Sequence, residues 1–380
     1  KTGREEVGKM LREYRRKIYK KIRFETWYRK GNYYWSKRDK MDEIIEKYKG
    51  PEAFEDRRYL RRLKRDMIRS LFKYGSYYSE YFLYDYEGKD PEYRASFITE
   101  GIRMSFYPRM NKRKNTDILE NKYRTYKKFE NMYKREVIRI RKNEDPTQEN
   151  LKKLQEFAGR HGEYVVKPVY AAFGKAVRIE NIAMYDSVED AHEHYRKYGA
   201  VIEEKIEQGW EMARIHEGSV NTLRIPTVII RNEKNEPEIR LFHPSLRMGR
   251  EGSFVDNFSA GGISALIDPD SGVIYTDGAD KKGHSYECHP DSKVKFKGFG
   301  IPRWEEAVAM VKEAAMMIPD NHYCGWDLAF ARDRGWCMVE ANCTAQMGAM
   351  QMVEKKGRRH ELEDLITQMQ EKRDCDEAVR

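Results

Sequence analysis

The fold is decided by the stretch Cys324-Gly-Trp-Asp-Leu-Ala-Phe-Ala-Arg-Asp-Arg-Gly-Trp-Cys-Met-Val-Glu-Ala-Asn-Cys343. Two apolar segments flank a polar turn at residues 332–335, which is the pattern of a β-hairpin. If the turn is centred on this segment, Asp327 lies directly opposite Glu340, and Asn342 follows two residues later on the same face of its strand. A bulge at the glycine of the turn would shift this pairing by one residue and separate the two carboxylates.

Facing carboxylates in an apolar hairpin need a counter-charge. Like charges opposite one another destabilise a strand pair, and a buried charge must be paired or bound to a cation. A hard divalent cation removes the conflict, and the oxygen ligands of Asp327, Glu340 and Asn342 suit Mg²⁺. The alternative is an exposed hairpin edge that carries two unrelated acids.

Two earlier segments contain residue types that suit a nucleotide. Lys167 ends a short strand just before the loop of residues 169–174, where a lysine can reach a phosphate that the loop amides cover. The apolar strand at residues 200–206 runs into Glu204, and Glu211 follows it. Acidic and backbone acceptors beside an apolar wall suit the amino group of adenine and the ribose hydroxyls. Taken alone, each segment is as consistent with a solvated strand end.

After residue 160, short strands are separated by turn signals, with helices among them. The predicted strands comprise residues 164–167, 176–179, 200–206, 222–231, 239–248, 262–267, 325–331 and 336–341. The predicted helices comprise residues 117–133, 149–161, 187–198 and 304–317, the third of them capped by Ser187. Adjacent strand pairs mixed with helices predict an α+β fold with antiparallel sheets.

The first 115 residues are helical in pattern, basic and rich in aromatics. They hold 32 Lys and Arg against 18 Asp and Glu, a balance of +14, whereas residues 116–380 balance to −4. Basic residues interleaved with aromatics are typical of nucleic-acid binding, because phosphates attract cations and bases stack on rings. The alternatives are a helical domain with an aromatic core and solvated cations, or a surface for an anionic membrane or polymer.

Length and composition bound the class of protein. A chain of 380 residues predicts two or three domains. No apolar run reaches the length of a transmembrane helix, and we expect the basic start of the chain, which has no apolar core, not to be a secretory signal. Five cysteines without paired spacing predict a reduced, cytoplasmic protein.

Taken in order, these segments resemble the ATP-grasp superfamily. The match runs through Asn121-Lys122 at the start of a helix, residues 165–168, the covering loop, residues 201–206, and Asp327 followed by Glu340-Ala-Asn342. It covers residues 116–353. The stretches at residues 219–224 and 256–262 most resemble the sugar-transfer-associated branch, which has kinship with the glutamate-ligase-like branch.

The resemblance implies a role for each matching residue. The residues implied to bind ATP are Lys122 and Lys167 at the phosphates, Glu204, Lys205 and Ile206 at adenine, and Glu211 at the ribose. Those implied to bind Mg²⁺ are Asp327, Glu340 and Asn342. Arg224 and Arg247 are implied to face the γ-phosphate or the carboxylate being activated, with Asn257 near the same phosphate.

The resemblance also implies a domain plan and an activity. Two α+β subdomains that clasp ATP are expected at residues 116–207 and 208–353, between a helical domain at 1–115 and a helical tail at 354–380. The implied activity is that of an ATP- and Mg²⁺-dependent ligase. It would join a carboxylate on a small molecule or glycan to an amino-acid-like amine through an acyl phosphate, in the synthesis of cell-surface polysaccharides or peptide conjugates. The alternatives are a kinase-type ATP-grasp phosphotransferase and a non-catalytic module that binds nucleotides or nucleic acid.

Overall fold

A computed structural model describes residues 29–170, 177–250 and 261–370 of the chain. The chain divides into two compact units, Lys1–Arg109 with Glu354–Asp364 and Met110–Val353 with Leu365–Arg380. None of the described helices has both the length and the apolar character needed to cross a membrane.

The first unit is built from short helices. Its α-helices are Met41–Lys49, Arg57–Tyr74, Tyr78–Leu83, Pro91–Ala95 and Glu100–Met110, with 3-10 turns at Arg38–Lys40 and Pro51–Phe54. The longest helix begins after Asp56, whose carboxylate accepts hydrogen bonds from the amides of Arg58 and Tyr59. It ends at Gly75, which takes the left-handed conformation that glycine adopts without strain.

Many aromatic residues of this unit are core residues. Tyr78, Tyr81, Tyr84, Tyr86 and Phe97 are each no more than 2% exposed. Tyr84 and Phe97 stack with their ring centroids 4.6 Å apart. Packing therefore accounts for these aromatics, as one of the alternative interpretations of the N-terminal region predicts.

The second unit contains two antiparallel sheets, the smaller with strand order β1-β4-β2-β3. Its strands are β1 Val137–Ile140, β2 Tyr164–Pro168, β3 Arg178–Glu180 and β4 Ala200–Glu204. The helices Gln148–Arg160 and Val188–Arg196 pack against this sheet. Ser187 caps the second of them by accepting a hydrogen bond from the amide of Asp190, which confirms the predicted helix start.

The larger sheet has strand order β10-β9-β8-β7-β5-β11-β12, and β6 pairs with the C-terminal half of β5. Its strands are β5 Thr222–Arg231, β6 Pro237–Leu241, β7 Ser245–Met248, β8 Ile263–Leu266, β9 Gly278–Asp280, β10 Ser285–Tyr286, β11 Tyr323–Ala331 and β12 Gly335–Asn342. The helix Trp304–Met316 packs on it through Ala307, Val311 and Ala314. Further helices are Trp210–Ala213, Ala349–Met352 and Arg359–Gln370, and a 3-10 turn lies at Ile182–Met184. Every described strand pairing is antiparallel, which confirms the predicted sheet type.

Two predicted elements are wrong in their extent. The strand predicted at residues 239–248 is two strands, β6 and β7, because Pro244 has no amide hydrogen and His243 takes a positive φ of 50°. The helix predicted at residues 117–133 is three short helices: Arg113–Glu120, Lys122–Lys128 and Glu130–Tyr133. The first break falls at Asn121, whose extended backbone stops one helix while its side chain caps the next.

Candidate active site

The hairpin β11–β12 makes Asp327 and Glu340 partners across the ladder. The turn is one residue longer than a two-residue turn, because Ala331 pairs with Gly335, which has a positive φ of 66°. A bulge next to Asp327 then shifts the register by one residue. The two irregularities cancel, so the pairing of the two acids that the sequence predicts is confirmed.

Asp327 is buried between two arginines from neighbouring strands. Arg224, its partner on β5, donates from Nε to Oδ1 at 2.5 Å and from Nη2 to Oδ2 at 2.9 Å. Arg247 on β7 places its Nη2 3.0 Å from the same Oδ2. The side chain of Asp327 is only 4% exposed. Cations of the protein therefore neutralise this buried carboxylate.

The electrostatics of this trio favour an ionised carboxylate. Burial acts to raise the pKa of Asp327, but the charges of Arg224 and Arg247 and their hydrogen bonds hold it below its ordinary value. Burial likewise acts to lower the pKa of Arg224, but the charge of Asp327 and its hydrogen bonds, together with smaller contributions from Tyr323 and Glu340, raise it above its ordinary value. Asp327 is therefore negative at neutral pH and fixes the orientation of two planar guanidinium groups.

Glu340 contacts a lysine from the helix Lys122–Lys128. The Nζ of Lys122 lies 3.2 Å from Oε1 of Glu340. The preceding Asn121 donates from Nδ2 to the hydroxyl of Tyr170 at 2.9 Å, so the helix begins beside the loop that follows β2. At 37% exposure the side chain of Glu340 is far more open than that of Asp327. The structure thus brings five predicted site residues into one cluster: Lys122, Arg224, Arg247, Asp327 and Glu340.

The oxygen donors of this cluster fit Mg²⁺. The carboxylates of Asp327 and Glu340 and the amide of Asn342 belong to adjacent strands, and carboxylate and amide oxygens are ligands that Mg²⁺ accepts. Asp327 already accepts hydrogen bonds from both arginines at three donor nitrogens. A carboxylate has about four acceptor positions, so Asp327 retains about one for a metal. The half-exposed Glu340 would supply the more accessible oxygens.

A second charged cluster is buried where the two sheets meet. Lys167 on β2 donates from Nζ to Oε2 of Glu203 on β4 at 2.9 Å. Arg135 donates from Nη2 to the same oxygen at 2.7 Å and from Nη1 to the carbonyl of Met338 on β12 at 2.5 Å. The side chains of Lys167, Glu203 and Arg135 are 11%, 5% and 2% exposed. Burial acts to raise the pKa of Glu203, but the charges of Lys167 and Arg135 lower it to about 2.

Two of the residues implied to bind adenine follow one another at the end of β4. Glu204 accepts a hydrogen bond from the amide of Glu136 at 3.1 Å and pairs with Arg334 in the turn of the hairpin. Lys205 pairs with Glu163, and both side chains are well exposed. The side chain of Lys205 therefore lies apart from the two charged clusters, whereas Glu204 joins the end of β4 to the hairpin.

Ile206 borders a small apolar surface on the hairpin. Its buried members are Ala329, Ala331 and Cys337, and its half-buried members are Ile206, Val220 and Val339. Glu211 lies nearby in sequence, partly exposed on the helix Trp210–Ala213. Apolar side chains next to a few polar acceptors suit a flat aromatic base. Asn257 and most of the loop at 169–174 lie outside the described residues.

Glu203, which binds Lys167, and Arg135, which binds Glu203, were not predicted as site residues. Glu203 is 4% exposed, so the interpretation of this segment as a solvated strand end is wrong for it. The register of β2 on β4 puts Lys167 opposite Val201 and Val165 opposite Glu203, so both charged residues share one face of the sheet. The opposite charges of Lys167 and Glu203, on one face of two predicted strands, could have predicted this ion pair. Arg135 carried no such signal, because β1 was not predicted.

Comparison with known families agrees with this arrangement. A model of the sugar-transfer associated ATP-grasp family matches residues 102–366, well over half of the chain. The chain therefore belongs to the sugar-transfer associated ATP-grasp family. It has the α+β ATP-grasp fold of that family, preceded by a helical N-terminal region. No protein with a curated description matches the chain.

Solved structures that are similar to the chain include several ATP-grasp ligases. The D-alanyl-alanine synthetase A of Vibrio cholerae is 12% identical with a TM-score of 0.42, over 68% of this chain and 67% of its own. The ATP-grasp ligase PsnB with a minimal precursor, Mg and ADP is 11% identical with a TM-score of 0.41, over 73% and 69%. The D-alanine-D-alanine ligase of Coxiella burnetii is 10% identical with a TM-score of 0.41, over 71% and 62%. Identities this low say nothing of the substrate of this chain.

Proposed function

We propose that this protein is an ATP- and Mg²⁺-dependent ligase that joins a carboxylate to an amine through an acyl phosphate. The observation that carries the proposal is the cluster of Arg224, Arg247 and Asp327 beside Lys122 and Glu340. In this cluster the buried carboxylate of Asp327 orients two arginines, and Glu340 lies opposite Asp327 on the adjacent strand, beside Lys122. Phosphoryl transfer needs mainly this kind of positioning and charge neutralisation.

The residues of the site divide into those that can bind phosphates and those that hold the phosphate-binding side chains in place. Lys122 carries three N–H donors, so it can bind a phosphate oxygen while it remains near Glu340. Arg224 and Arg247 are held in place by Asp327, which removes the entropy cost of ordering them on a substrate. Mg²⁺ bound at Asp327, Glu340 and Asn342 would neutralise negative charge that develops on the phosphate oxygens.

The reaction needs no covalent nucleophile from the protein. A carboxylate oxygen of the substrate attacks the γ-phosphorus, and ADP leaves with the electrons of the broken P–O bond. The amine then attacks the carbonyl carbon, loses a proton, and inorganic phosphate leaves. Cys343, which follows Asn342, is unsuited to attack because it is 3% exposed and burial raises its pKa to about 11.

The proposed substrates are a carboxylate on a small molecule or glycan and an amino-acid-like amine. Membership of a sugar-transfer associated family supports a role in the synthesis of cell-surface polysaccharides or peptide conjugates. The balance of +14 over residues 1–115 would attract an acidic glycan.

The test compares Glu340→Ala with Glu238→Ala in an assay of ADP release. The two side chains are 37% and 40% exposed, so the control removes an equally accessible carboxylate from the same sheet. We expect Glu340→Ala to lower ADP formation by roughly a hundredfold or more with an unchanged melting temperature, because it removes charge stabilisation specific to the transition state. Activity within about threefold of wild type, less than about 1 kcal/mol of barrier, would sink the assignment.

The same assay separates ligation from the kinase-type outcome. Carboxylates from a panel of amino acids and uronic acids are supplied with and without amines. A ligase forms ADP in proportion to an amide product and requires both substrates. Steady ADP formation without amine, together with a stable phosphorylated product, would establish a phosphotransferase.

A further inference from the structure

Outside the two charged clusters, two histidines and an aspartate converge from separate loops of the second unit. His216, His289 and Asp291 each offer one ligating atom, and these atoms all lie within 4.8 Å of one another. The Nδ1 of His216 lies 3.3 Å from Oδ2 of Asp291, and the Nδ1 of His289 lies 3.9 Å from the same oxygen. The two imidazole rings stack with their centroids 5.1 Å apart.

The hydrogen bonds of His289 determine which ring nitrogen faces the cluster. Its Nε2 lies 2.8 Å from the carbonyl oxygen of Gly249, so Nε2 carries the hydrogen and donates. Nδ1 therefore has its lone pair directed towards Asp291, whose amide donates a long hydrogen bond to it at 3.3 Å. A metal bound at Nδ1 would replace this hydrogen bond. Histidines that bind metals almost always donate their other ring N–H to a carbonyl or carboxylate. The fully buried His289 already has this second partner.

The other two members are placed as ligands would be. Within the described residues, no Lys or Arg lies within 4.0 Å of the carboxylate of Asp291, whereas the nearby Asp280 has Arg250 at 3.3 Å. His216 is 10% exposed, and its Nε2 is buried without a hydrogen-bond partner among the described residues. The nitrogen of His216 that faces the cluster is Nδ1, which lies 3.3 Å from Oδ2 of Asp291.

We propose that His216, His289 and Asp291 bind a divalent first-row transition metal, with Zn²⁺ as the representative ion. Two imidazoles and one carboxylate with an open fourth position are ligands that suit zinc, whereas Mg²⁺ takes oxygen ligands. With bonds of about 2.0–2.2 Å, tetrahedral ligands lie about 3.3–3.5 Å apart. The distances of 3.3 and 3.9 Å from Oδ2 of Asp291 to the Nδ1 atoms of His216 and His289 are therefore near those of a bound site. Asp291, with a third of its side chain exposed, gives the ion a route to solvent.

The metal would anchor the segment that enters β5. Gln208 donates from Nε2 to the carbonyl of His216 at 3.1 Å, and Asn221 donates from Nδ2 to the same carbonyl at 3.0 Å. His289 and Asp291 belong to a different loop, so a metal would fasten that loop to the segment between Glu211 and Arg224. The site uses none of the residues of the proposed ligase reaction and does not depend on it.

The experiment is zinc titration of the whole tag-free chain after removal of metals with a chelator. Calorimetry with Zn²⁺ alone should show one equivalent bound at micromolar affinity or tighter, unaffected by millimolar Mg²⁺. Co²⁺ should give visible absorption bands typical of tetrahedral nitrogen and oxygen ligands. Zn²⁺ should also raise the melting temperature, because the native site binds it. A wild-type chain without saturable Zn²⁺ binding would overturn the proposal.

Matched variants assign the binding to these residues. Asp291→Asn and His216→Gln should each weaken Zn²⁺ binding at least about tenfold, the loss that even a supporting group causes. The controls are Asp277→Asn, with 36% of its side chain exposed against 33% for Asp291, and His284→Gln, which lies outside the cluster. Both controls should bind as wild type does. Equal affinity in all four variants would place the zinc elsewhere and overturn the assignment.

Discussion

Replacing Glu203 by glutamine should destabilise the smaller sheet strongly, although the side chain keeps its size. The change removes the negative charge that Lys167 and Arg135 share. Both cations would then be buried without an anion, at 11% and 2% exposure. Removing one partner of a buried ion pair costs about 3–5 kcal/mol.

The pKa of Glu203 provides a second route to the magnitude. The folded value of about 2 lies below the ordinary 4.5. At about 1.4 kcal/mol per pKa unit, the difference corresponds to roughly 3 kcal/mol of stability at neutral pH. Because the folded pKa is the lower one, this stability is fully present above pH 4.5 and is lost as the pH falls towards 2. The gap between wild type and Glu203→Gln should therefore close in acid.

Hydrogen exchange of the amides of β2 and β4 is the most direct measurement, because it reports on the smaller sheet separately from the rest of the chain. The matched control is Glu163→Gln, which removes the charge of a carboxylate that is 56% exposed and pairs with Lys205. An exposed pair contributes about 0–1 kcal/mol, so the control should exchange almost as wild type does. A loss below about 1 kcal/mol in Glu203→Gln at pH 7, or a loss equal to the control, would refute this account of the buried cluster.

Lys167→Ala should weaken ATP binding while the fold survives, because Glu203 keeps Arg135 as its partner. The rise in melting temperature on adding Mg-ATP should therefore be smaller than in wild type, and an unchanged rise would contradict the role of Lys167 at the phosphates. Gly335→Ala should cost about 1–2 kcal/mol in thermal unfolding, because alanine resists the φ of 66° that the hairpin turn requires, and a neutral effect would mean that the turn adopts another conformation. Binding of short RNA, DNA and an acidic glycan by the whole chain should weaken with salt. A slope as steep as counterion release predicts would identify nucleic acid, and no binding at all would leave the cations of residues 1–115 as a solvated surface.

The sequence was sufficient to predict strands and their pairing where residues alternate between the two faces of a strand. The bounds of β5 match the prediction, and the partnership of Asp327 with Glu340 followed from the length of the hairpin. The predicted pairing is correct although the turn is one residue longer than predicted, because an unpredicted bulge next to Asp327 shifts the register back by one residue. The hairpin was thus predictable in outcome, although its turn was wrong in detail.

The interactions that the sequence did not reveal are those between distant segments. The counter-charge of Asp327 proved to include Arg224 and Arg247, because the sheet order places β5 beside β11 and β7 beside β5. The burial of Glu203 depends on β1, a four-residue strand too short to predict from periodicity. The cluster of His216, His289 and Asp291 joins two loops that no local pattern connects. Tertiary topology, which sets these neighbours, is absent from local sequence patterns.

The guanidinium of Arg135 donates hydrogen bonds to Glu203 of the smaller sheet and to the carbonyl of Met338 in the larger sheet at the same time. A rotation about this guanidinium would stretch its hydrogen bonds little, whereas a sliding motion of an ångström or two would break them. Any opening of the smaller sheet would then swing about β4, with Lys167 near the axis and the edge strand β3 two strands away. At about 4.8 Å per strand, β3 has a lever arm of about 10 Å. In such a motion Lys167 would move little, and the edge strand β3 would move more.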